Sequence, residues 1–331
     1  MSSPSSAPAR SDATPEGLAD RRLESERLDA LDAAAWITCM RRGDFDGAWA
    51  SSDRMRGRRQ DPPDWTLPRH LQQIWDGTPL GGRRVLVRCY HGLGDTLQFI
   101  RYAPLLRRIA RQVIVWAQPS LLPLLGTVEG IDLLLPLHDG APEVEYDVDI
   151  EVMELPYAFR TTPATIPAAV PYLRATPATL REPSPRIAIF WRAGDWNPSR
   201  SVPFQVVHSL LSHIDASWFT SLPGQTADEP YPDVVLASPS DLASTAQLLC
   251  ACELVISVDT VFAHLAGALG RRTWTLLPHD ADWRWMEARD DSPWYPTMRL
   301  FRQSRPGDWA SVIADVRRAL MDEMNEGGTR P

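Results

Sequence analysis

Short apolar runs alternate with amphipathic segments over most of the chain. Runs bounded by turn residues are typical of buried strands, and the longer periodic segments between them are typical of crossover helices. The predicted strands are 85–89, 112–117, 131–135, 146–151, 186–190, 218–221, 234–236, 254–258 and 273–277. The predicted helices are 97–110, 120–127, 204–212, 242–250, 261–270 and 309–324. This pattern predicts an α/β fold with parallel sheets.

A proline-rich stretch at 163–185 divides this pattern into two parts. We therefore expect two Rossmann-like domains, at 79–175 and 184–307, facing each other across a cleft. Open sheets of this kind bind ligands outside the carboxyl ends of their strands. A final helix at 308–325 is expected to pack back on the first domain.

The N-terminal part has a different composition. Residues 1–18 are small, polar and proline-containing, and we expect a disordered tail there. Residues 19–78 are expected to form a helical appendage and a linker, with a short helix around 70–75. Within the appendage, residues 34–49 fit one tetratricopeptide-type helix pair, with Gly43 at the bend, and equally fit a plain helical hairpin. Such a pair is expected to pack on the body of the molecule or on a protein partner.

Composition excludes several classes of protein. At 331 residues with 44% apolar residues, the chain is long enough for two domains plus an appendage. The net charge of -8 argues against a nucleic-acid partner. The four cysteines lack metal-binding spacing, which favours reduced thiols in a cytoplasmic protein. No apolar stretch approaches membrane-spanning length, so we expect no integral membrane segment.

One strand-to-helix junction has the chemistry of an anion site. The predicted strand 254–258 runs into Asp259 and Thr260, which open a helix. The first turn of a helix has unpaired N–H groups and a partial positive charge, so it can hold a phosphate, and the Thr260 hydroxyl adds a further donor. Asp259 suits the N-cap position. A plain strand-to-helix junction with an Asp cap is the alternative.

A second junction of this kind follows strand 85–89. Gly92 and Gly94 allow the backbone to approach a ligand, and Asp95 lies where the turn enters the next helix. The third glycine of the dinucleotide-binding fingerprint is missing, which argues against NAD. Two such junctions indicate two Rossmann-like halves.

An Asp-x-Asp pair, Asp147 and Asp149, lies on the predicted strand 146–151. Such pairs hold a metal in some transferases, but carboxylates at strand ends are commoner than metal sites. We assign no metal site to the chain.

Several ordered motifs resemble the family 9 glycosyltransferases, the heptosyltransferase-like group of GT-B fold, and especially its branch attached to tetratricopeptide repeats. The resemblance spans roughly residues 79–320. It lies in the segments His91–Tyr102, Leu155–Phe159, Ile166–Leu173, Arg200–Pro203, Val258–Gly270, Asp282–Trp285 and Ser292–Pro296. It implies inverting transfer of a sugar, usually heptose from ADP-heptose, to an acceptor hydroxyl. It implies no cofactor and no essential metal, the nucleotide-diphosphate sugar being the donor substrate.

The resemblance places the family's catalytic aspartate at Asp95, which would take the proton from the acceptor hydroxyl. Burial would help by raising its pKa. A helix cap is the alternative role for Asp95. His91 is a second candidate base, since its intrinsic pKa lies closer to neutrality, and its position also suits acceptor binding.

The family's Asp-Thr-x-x-x-His motif matches Asp259, Thr260 and His264. Thr260 and the N–H groups of residues 260–262 would hold the donor phosphates. His264, one turn further along the helix, would either donate to the phosphates or belong to the core.

The loop after strand 186–190 departs from the family pattern, because it is shorter and lacks lysine. Arg192 and Arg200 can substitute, since a guanidinium binds phosphate through two hydrogen bonds, and Ser201 adjoins the second of them. Because the loop differs from the family pattern, the sequence does not decide which of the two arginines binds the phosphate.

Four further residues are candidate contacts for the nucleotide or the sugar: Gly92, Gly94, Trp283 and Trp285. The tryptophans offer flat apolar faces with N–H donors, and core packing is their alternative role.

Three functions remain open at the level of sequence. The leading hypothesis is a transferase with a nucleotide-sugar donor, a small-molecule or glycan acceptor, and a protein partner for the N-terminal helices. The second is a catalytically silent binding module, and the third is an epimerase or hydrolase of sugar nucleotides. Fold resemblance alone does not separate them.

Overall fold

The computed structural model describes residues 15–58, 75, 77–194, 197–220, 234–236 and 241–327. These residues form two parallel sheets with flanking helices, as the sequence pattern predicts. None of the described helices is long and apolar enough to cross a membrane.

The first sheet has the strand order β3-β2-β1-β4, and all its pairings are parallel. Its strands are β1 Arg84–Cys89, β2 Gln112–Ala117, β3 Leu133–Pro136 and β4 Val148–Glu151. The chain moves outward from β1 to β3 and then returns to add β4 on the other side of β1. The carboxyl ends of β1 and β4 therefore form a switch point, where ligands bind in open α/β sheets.

The second sheet has the order β10-β9-β8-β5-β6-β7, again all parallel. Its strands are β5 Arg186–Phe190, β6 Ser217–Thr220, β7 Val234–Leu236, β8 Leu254–Val258, β9 Thr273–Leu277 and β10 Met298–Arg302. Its switch point lies between the carboxyl ends of β5 and β8. These are the two central strands, and every residue of β8 is buried.

Ten α-helices lie within the described residues. They are α1 Pro15–Arg41, α2 Phe45–Arg58, α3 Leu93–Phe99, α4 Ala103–Ile109, α5 Leu122–Leu125, α6 Leu155–Ala158, α7 Phe204–Leu211, α8 Leu242–Ala251, α9 Val261–Ala268 and α10 Trp309–Gly327.

The structure differs from the predicted elements in several places. The predicted helix 97–110 starts earlier, at Leu93, and a 3-10 turn at Ile100–Tyr102 separates α3 from α4. Pro104, in the first turn of α4, has no N–H to continue a single helix. Strand β10 was not predicted, because charged residues interrupt its apolar positions. The predicted helix 120–127 is a 3-10 turn at Pro119–Leu121 followed by α5.

The final helix, α10, packs against α7 and β10 of the second domain. Its apolar residues join the hydrophobic cluster around Ile187 and Trp191. The resemblance to the GT-B family predicts this helix against the first domain. Its contacts lie in the second domain instead, because its apolar stripe covers the outer face of the second sheet, which needs a covering layer.

The N-terminal appendage is an antiparallel helical hairpin of α1 and α2, with Gly43 in the left-handed conformation at the turn (φ 75°). Helix α1 begins at Pro15, so the last residues of the expected disordered tail are helical. The rest of the tail, 1–14, lies outside the described residues. So does most of the predicted short helix around 70–75.

Candidate functional site

A cleft of about 1000 Å³ lies between the two domains, at the carboxyl edges of both sheets. Most of the residues singled out in the sequence line it: His91, Gly92, Gly94, Asp95, Arg192, Arg200, Asp259, Thr260, His264 and Trp283. The two switch points thus meet at one site, as the sequence analysis expected.

Asp95 closes the first-domain side of the cleft and makes two strong contacts. Its Oδ2 accepts from the backbone N–H of Gly92 at 3.0 Å, which caps helix α3. Its Oδ1 accepts from Nη1 of Arg284 at 2.8 Å, across the cleft. Asp95 is therefore a helix cap and one half of an ion pair that joins the two domains.

Glu151 ends strand β4 beside this turn, and the sequence analysis missed it. Its side chain is 4% exposed, and Oε2 accepts from the backbone N–H of Met153 at 2.6 Å. Oε1 lies 3.8 Å from Nε2 of His91. Burial raises the pKa of Glu151 to about 8, helped by the nearby carboxylates of Glu154 and Asp95. A polar residue at the end of a buried strand was the signal that could have found it.

The Asp-x-Asp pair two and four residues before Glu151 has structural partners. Asp147 accepts hydrogen bonds from Arg84, and Asp149 accepts from Nε of Arg88 at 2.7 Å. Among the described residues, no group of three or more His, Cys, Asp or Glu side chains is placed to hold a metal ion.

The second-domain side is built around the start of α9. The structure makes Thr260 the N-cap residue, where the sequence analysis placed Asp259, because Thr260 is the last residue with extended backbone (φ -147°). No side chain caps this helix. Its first N–H groups therefore keep their capacity to bind an anion.

Asp259 and Arg200 form a buried unit next to that helix start. Nη1 of Arg200 donates to the backbone carbonyl of Asp259 at 2.8 Å and lies 3.7 Å from its carboxylate. Burial raises the pKa of Asp259, although Arg284 and Arg200 oppose this effect. The unit fixes a guanidinium beside the helix N-terminus.

Two other residues of the β5 loop have different positions. Arg192 is exposed and lines the cleft. Ser201 does not line it, because its hydroxyl accepts from the backbone N–H of Ala193 at 2.9 Å and so holds the loop together. Residues 195 and 196 of this loop lie outside the described residues.

His264 lines the cleft but is only 2% exposed. Its Nδ1 is 3.0 Å from the Tyr295 hydroxyl, and its ring stacks on Trp285 at a centroid distance of 5.4 Å. Burial, together with nearby arginines, lowers the pKa of His264 well below its usual value, so the imidazole is neutral at pH 7. Trp285 is fully buried beneath this ring and packs in the core, away from the cleft.

Arg284 stands between the two tryptophans of the segment Asp282–Trp285 and was not among the predicted site residues. Its side chain is 9% exposed and pairs with both Asp95 and Asp282. Trp283 stacks on Phe99 of the first domain, with ring centroids 6.2 Å apart. The segment that follows β9 is therefore the place where the second domain meets the first.

The helical hairpin supplies a further wall of the cleft, which the sequence analysis did not foresee. Arg41, the last residue of α1, lines the cleft and pairs with Asp280 at 2.6 Å. Trp36 packs edge-on against Trp283 with a centroid distance of 5.1 Å.

Residues 223–290 match the family model described as glycosyltransferase family 9 (heptosyltransferase). The chain is 24% identical over 326 residues to Protein FlbA of Caulobacter vibrioides, covering 84% of this chain and 52% of that protein. It thus spans about half the length of this curated relative.

Two solved structures are similar to this chain. The glycosyl transferase family 9 structure from Veillonella parvula DSM 2008 superposes with a TM-score of 0.52 at 11% identity, covering 74% of this chain and 97% of that one. The E. coli heptosyltransferase WaaC with ADP-2-deoxy-2-fluoro heptose gives a TM-score of 0.47 at 12% identity, covering 74% and 99%. The match to the Veillonella parvula structure confirms the predicted GT-B fold, and residues 223–290 are similar to glycosyltransferase family 9.

Proposed function

We propose that this chain transfers a sugar from a nucleoside diphosphate to an acceptor hydroxyl. The observation that carries the proposal is the meeting of two switch points in one cleft. On one side lie the uncapped start of α9, Thr260, Arg192 and Arg200; on the other lie His91 and Asp95.

The second-domain side suits the leaving group. The bond to the sugar breaks only if the charge that develops on the diphosphate is stabilised. The N–H groups of α9 and the Thr260 hydroxyl provide neutral donors, and the two arginines provide charged ones. In other transferases a divalent ion stabilises the charge on the diphosphate. Here the two arginines would stabilise it, and we propose a metal-independent reaction.

The first-domain side suits the acceptor. As the acceptor oxygen attacks the anomeric carbon from the face opposite the diphosphate, its proton passes to a base and the configuration inverts. Asp95 and His91 both line the cleft where this proton is released. Both remain candidates, Asp95 as an ion-paired carboxylate and His91 as an imidazole near the buried Glu151.

The family match suggests the donor. Because the matching model is described as a heptosyltransferase, we propose ADP-heptose as the donor and a small molecule or glycan as the acceptor. We propose the cytoplasm as the place of reaction, because the spacing of the four cysteines favours reduced thiols.

An assay of nucleotide release tests the proposal. The protein is incubated with ADP-heptose, ADP-glucose, UDP-glucose or GDP-mannose, with and without a glycan acceptor pool, and with and without EDTA. We expect release of ADP from ADP-heptose that increases with acceptor and persists in EDTA. Release that does not depend on acceptor would indicate a hydrolase, and no release from any donor would contradict the proposed transfer.

A further inference from the structure

One end of the cleft is formed by the helical hairpin together with the loop after β9. Arg41 of α1 and Asp280 of that loop face each other at 2.6 Å, and both line the cleft. The backbone carbonyl of Arg41 accepts from the N–H of Glu287 at 2.7 Å. The end of α1 is thereby fixed to the second domain, and Arg41 is held at the cleft by backbone as well as side chain.

The charges at this end do not suit an anion. Three carboxylates, Asp95, Asp280 and Asp282, stand with two guanidinium groups, Arg41 and Arg284. A phosphate would meet more negative than positive charge here, whereas hydroxyl groups can donate to the carboxylates and accept from the guanidinium groups. The chemistry favours a neutral ligand with several hydroxyls.

The Arg41–Asp280 pair has unused hydrogen-bonding capacity. Asp280 is 78% exposed and Arg41 is 32% exposed. The exposed parts of both side chains face the cleft, so a ligand can reach them. By contrast, Arg284 is almost fully buried and is already engaged by Asp95 and Asp282.

The position of the pair indicates which part of the substrate it meets. The segment Asp280–Arg284 reaches across to Asp95 of the first domain, and the phosphate-binding groups lie at the start of α9. A sugar attached to the diphosphate would extend from α9 toward the acceptor side, since the acceptor must reach the anomeric carbon.

We propose that Arg41 and Asp280 bind hydroxyl groups of the sugar carried by the donor, so that the N-terminal hairpin completes the sugar site. The proposal rests on the proposed function, because it assumes a nucleotide-sugar donor in this cleft. It makes the hairpin part of the substrate-binding machinery and makes Arg41 a determinant of sugar specificity.

Calorimetry with ADP and ADP-heptose separates the sugar contacts from those of the nucleotide. We expect the wild-type protein to bind ADP-heptose about tenfold more tightly than ADP, the usual scale of one charged hydrogen bond. In Arg41→Gln and in Asp280→Asn this difference should vanish while the affinity for ADP is unchanged. Arg42→Gln is the matched control: its exposed side chain is the next in sequence and does not line the cleft, so this variant should keep the full difference.

Every outcome decides the proposal. The proposed sugar contact is absent if Arg41→Gln and Asp280→Asn keep the tenfold difference in affinity. It is also absent if the wild type binds ADP and ADP-heptose equally, although the protein then still has a nucleotide site. If the wild type binds neither ligand, the proposed function fails, and this inference fails with it. Should Arg41→Gln melt at a lower temperature than the wild type, Asp280→Asn decides alone, because the exposed Asp280 side chain is not part of the core.

Discussion

At the scale of single residues, three carboxylates stand at the carboxyl edges of the sheets in three different surroundings. Asp95 is paired with a guanidinium, Asp259 is buried next to another, and Glu151 is buried with one oxygen facing only an imidazole. The same functional group can therefore serve as an interdomain contact, a support for an anion site or a neutral acid. Surroundings, not residue type, separate these roles.

The Asp95 carboxylate is expected to matter more for turnover than for donor affinity. Asp95→Asn should lower the transfer rate about 100-fold, the usual contribution of a general base. The ADP affinity should stay nearly constant, because we propose that the phosphates bind in the other domain. Steady-state kinetics and calorimetry measure the two quantities. Asp282→Asn, which removes the other partner of Arg284, should cause a much smaller loss. Equal losses of transfer rate in both variants would instead show that the rate depends on the ion pairs of Arg284 and not on Asp95 as a base.

The Thr260 hydroxyl is expected to hold a donor phosphate. Thr260→Ala should weaken ADP binding by about 1–3 kcal/mol, because a hydrogen bond to a charged oxygen is lost. Thr260→Ser keeps the hydroxyl and should bind ADP like the wild type. The comparison therefore separates the contribution of the hydroxyl to ADP affinity from that of the backbone at the N-cap. The assignment would be wrong if calorimetry gave the same affinity for all three proteins.

Burial of Glu151 predicts how stability depends on pH. Its pKa in the folded protein is about 8, above the ordinary value of 4.5, so between these values the folded state holds a proton that the unfolded state has released. The contribution of Glu151 is therefore fully present below pH 4.5 and is lost as pH rises through 8. Glu151→Gln carries no such proton, so its free energy of unfolding should rise relative to wild type between pH 5 and pH 8.

Urea unfolding of both proteins at the two pH values measures this difference. Glu143→Gln, at an exposed position outside this turn, serves as the control and should follow the wild type closely. A difference between Glu151→Gln and wild type that does not change with pH would show that Glu151 is ionised in the folded protein.

At the scale of elements, helices α3 and α9 bring the two domains together. A Cβ at Gly94 would lie 2.7 Å from Cδ2 of His264, and that ring cannot retreat because it stacks on Trp285 and contacts Tyr295. The glycine is thus needed for close approach of the helices rather than for an unusual backbone angle. It also places the start of α3 against the helix that would hold the phosphates.

Gly94→Ala is expected to lower stability by about 1–3 kcal/mol, because the added methyl overpacks the α3–α9 contact. Gly57→Ala is the matched control, since nothing lies within 4 Å of its Cβ position and alanine favours the helix α2. It should leave stability unchanged or slightly higher. Thermal unfolding of the two variants measures the difference, and equal midpoints would mean that the two helices can move apart freely.

The elements that sequence could predict are those set by local periodicity. Strands β5, β8 and β9 were predicted at their observed positions, since each is a short, mostly apolar run. The break between α3 and α4 and the edge strand β10 were missed, because a 3-10 turn and a charged edge strand leave weak periodic signals.

The candidate site follows the same rule. The residues at strand-to-helix junctions, such as Asp95 and Thr260, could be found because their motif is local. Arg41, Glu151 and Arg284 could not, since they are brought to the cleft by contacts between parts of the chain far apart in sequence. Their roles depend on partners that only the fold supplies.

At the scale of the whole molecule, the hairpin binds both domains at once. On the second domain, Trp36 packs on Trp283. On the first, Nε1 of Trp49 donates to the carbonyl of Thr161 at 2.7 Å, and Asp53 pairs with Arg160. One hydrophobic cluster runs through the hairpin and both domains; its members include Met40, Phe45, Trp49, Leu97, Phe99, Leu265, Trp285 and Trp294. The appendage is therefore part of the common core.

A shared core predicts that hairpin and domains unfold together. We expect the wild type to show a single calorimetric transition, and Trp36→Ala with Trp49→Ala to divide it into two, because removing both indoles uncouples the domains from the hairpin. The radius of gyration from small-angle scattering should increase in this double variant as the cleft opens. Leu31→Ala, on the exposed side of α1, should change neither quantity. Two transitions in the wild type would show that the hairpin and the two domains do not unfold as one cooperative unit, and the shared hydrophobic cluster would then not couple them.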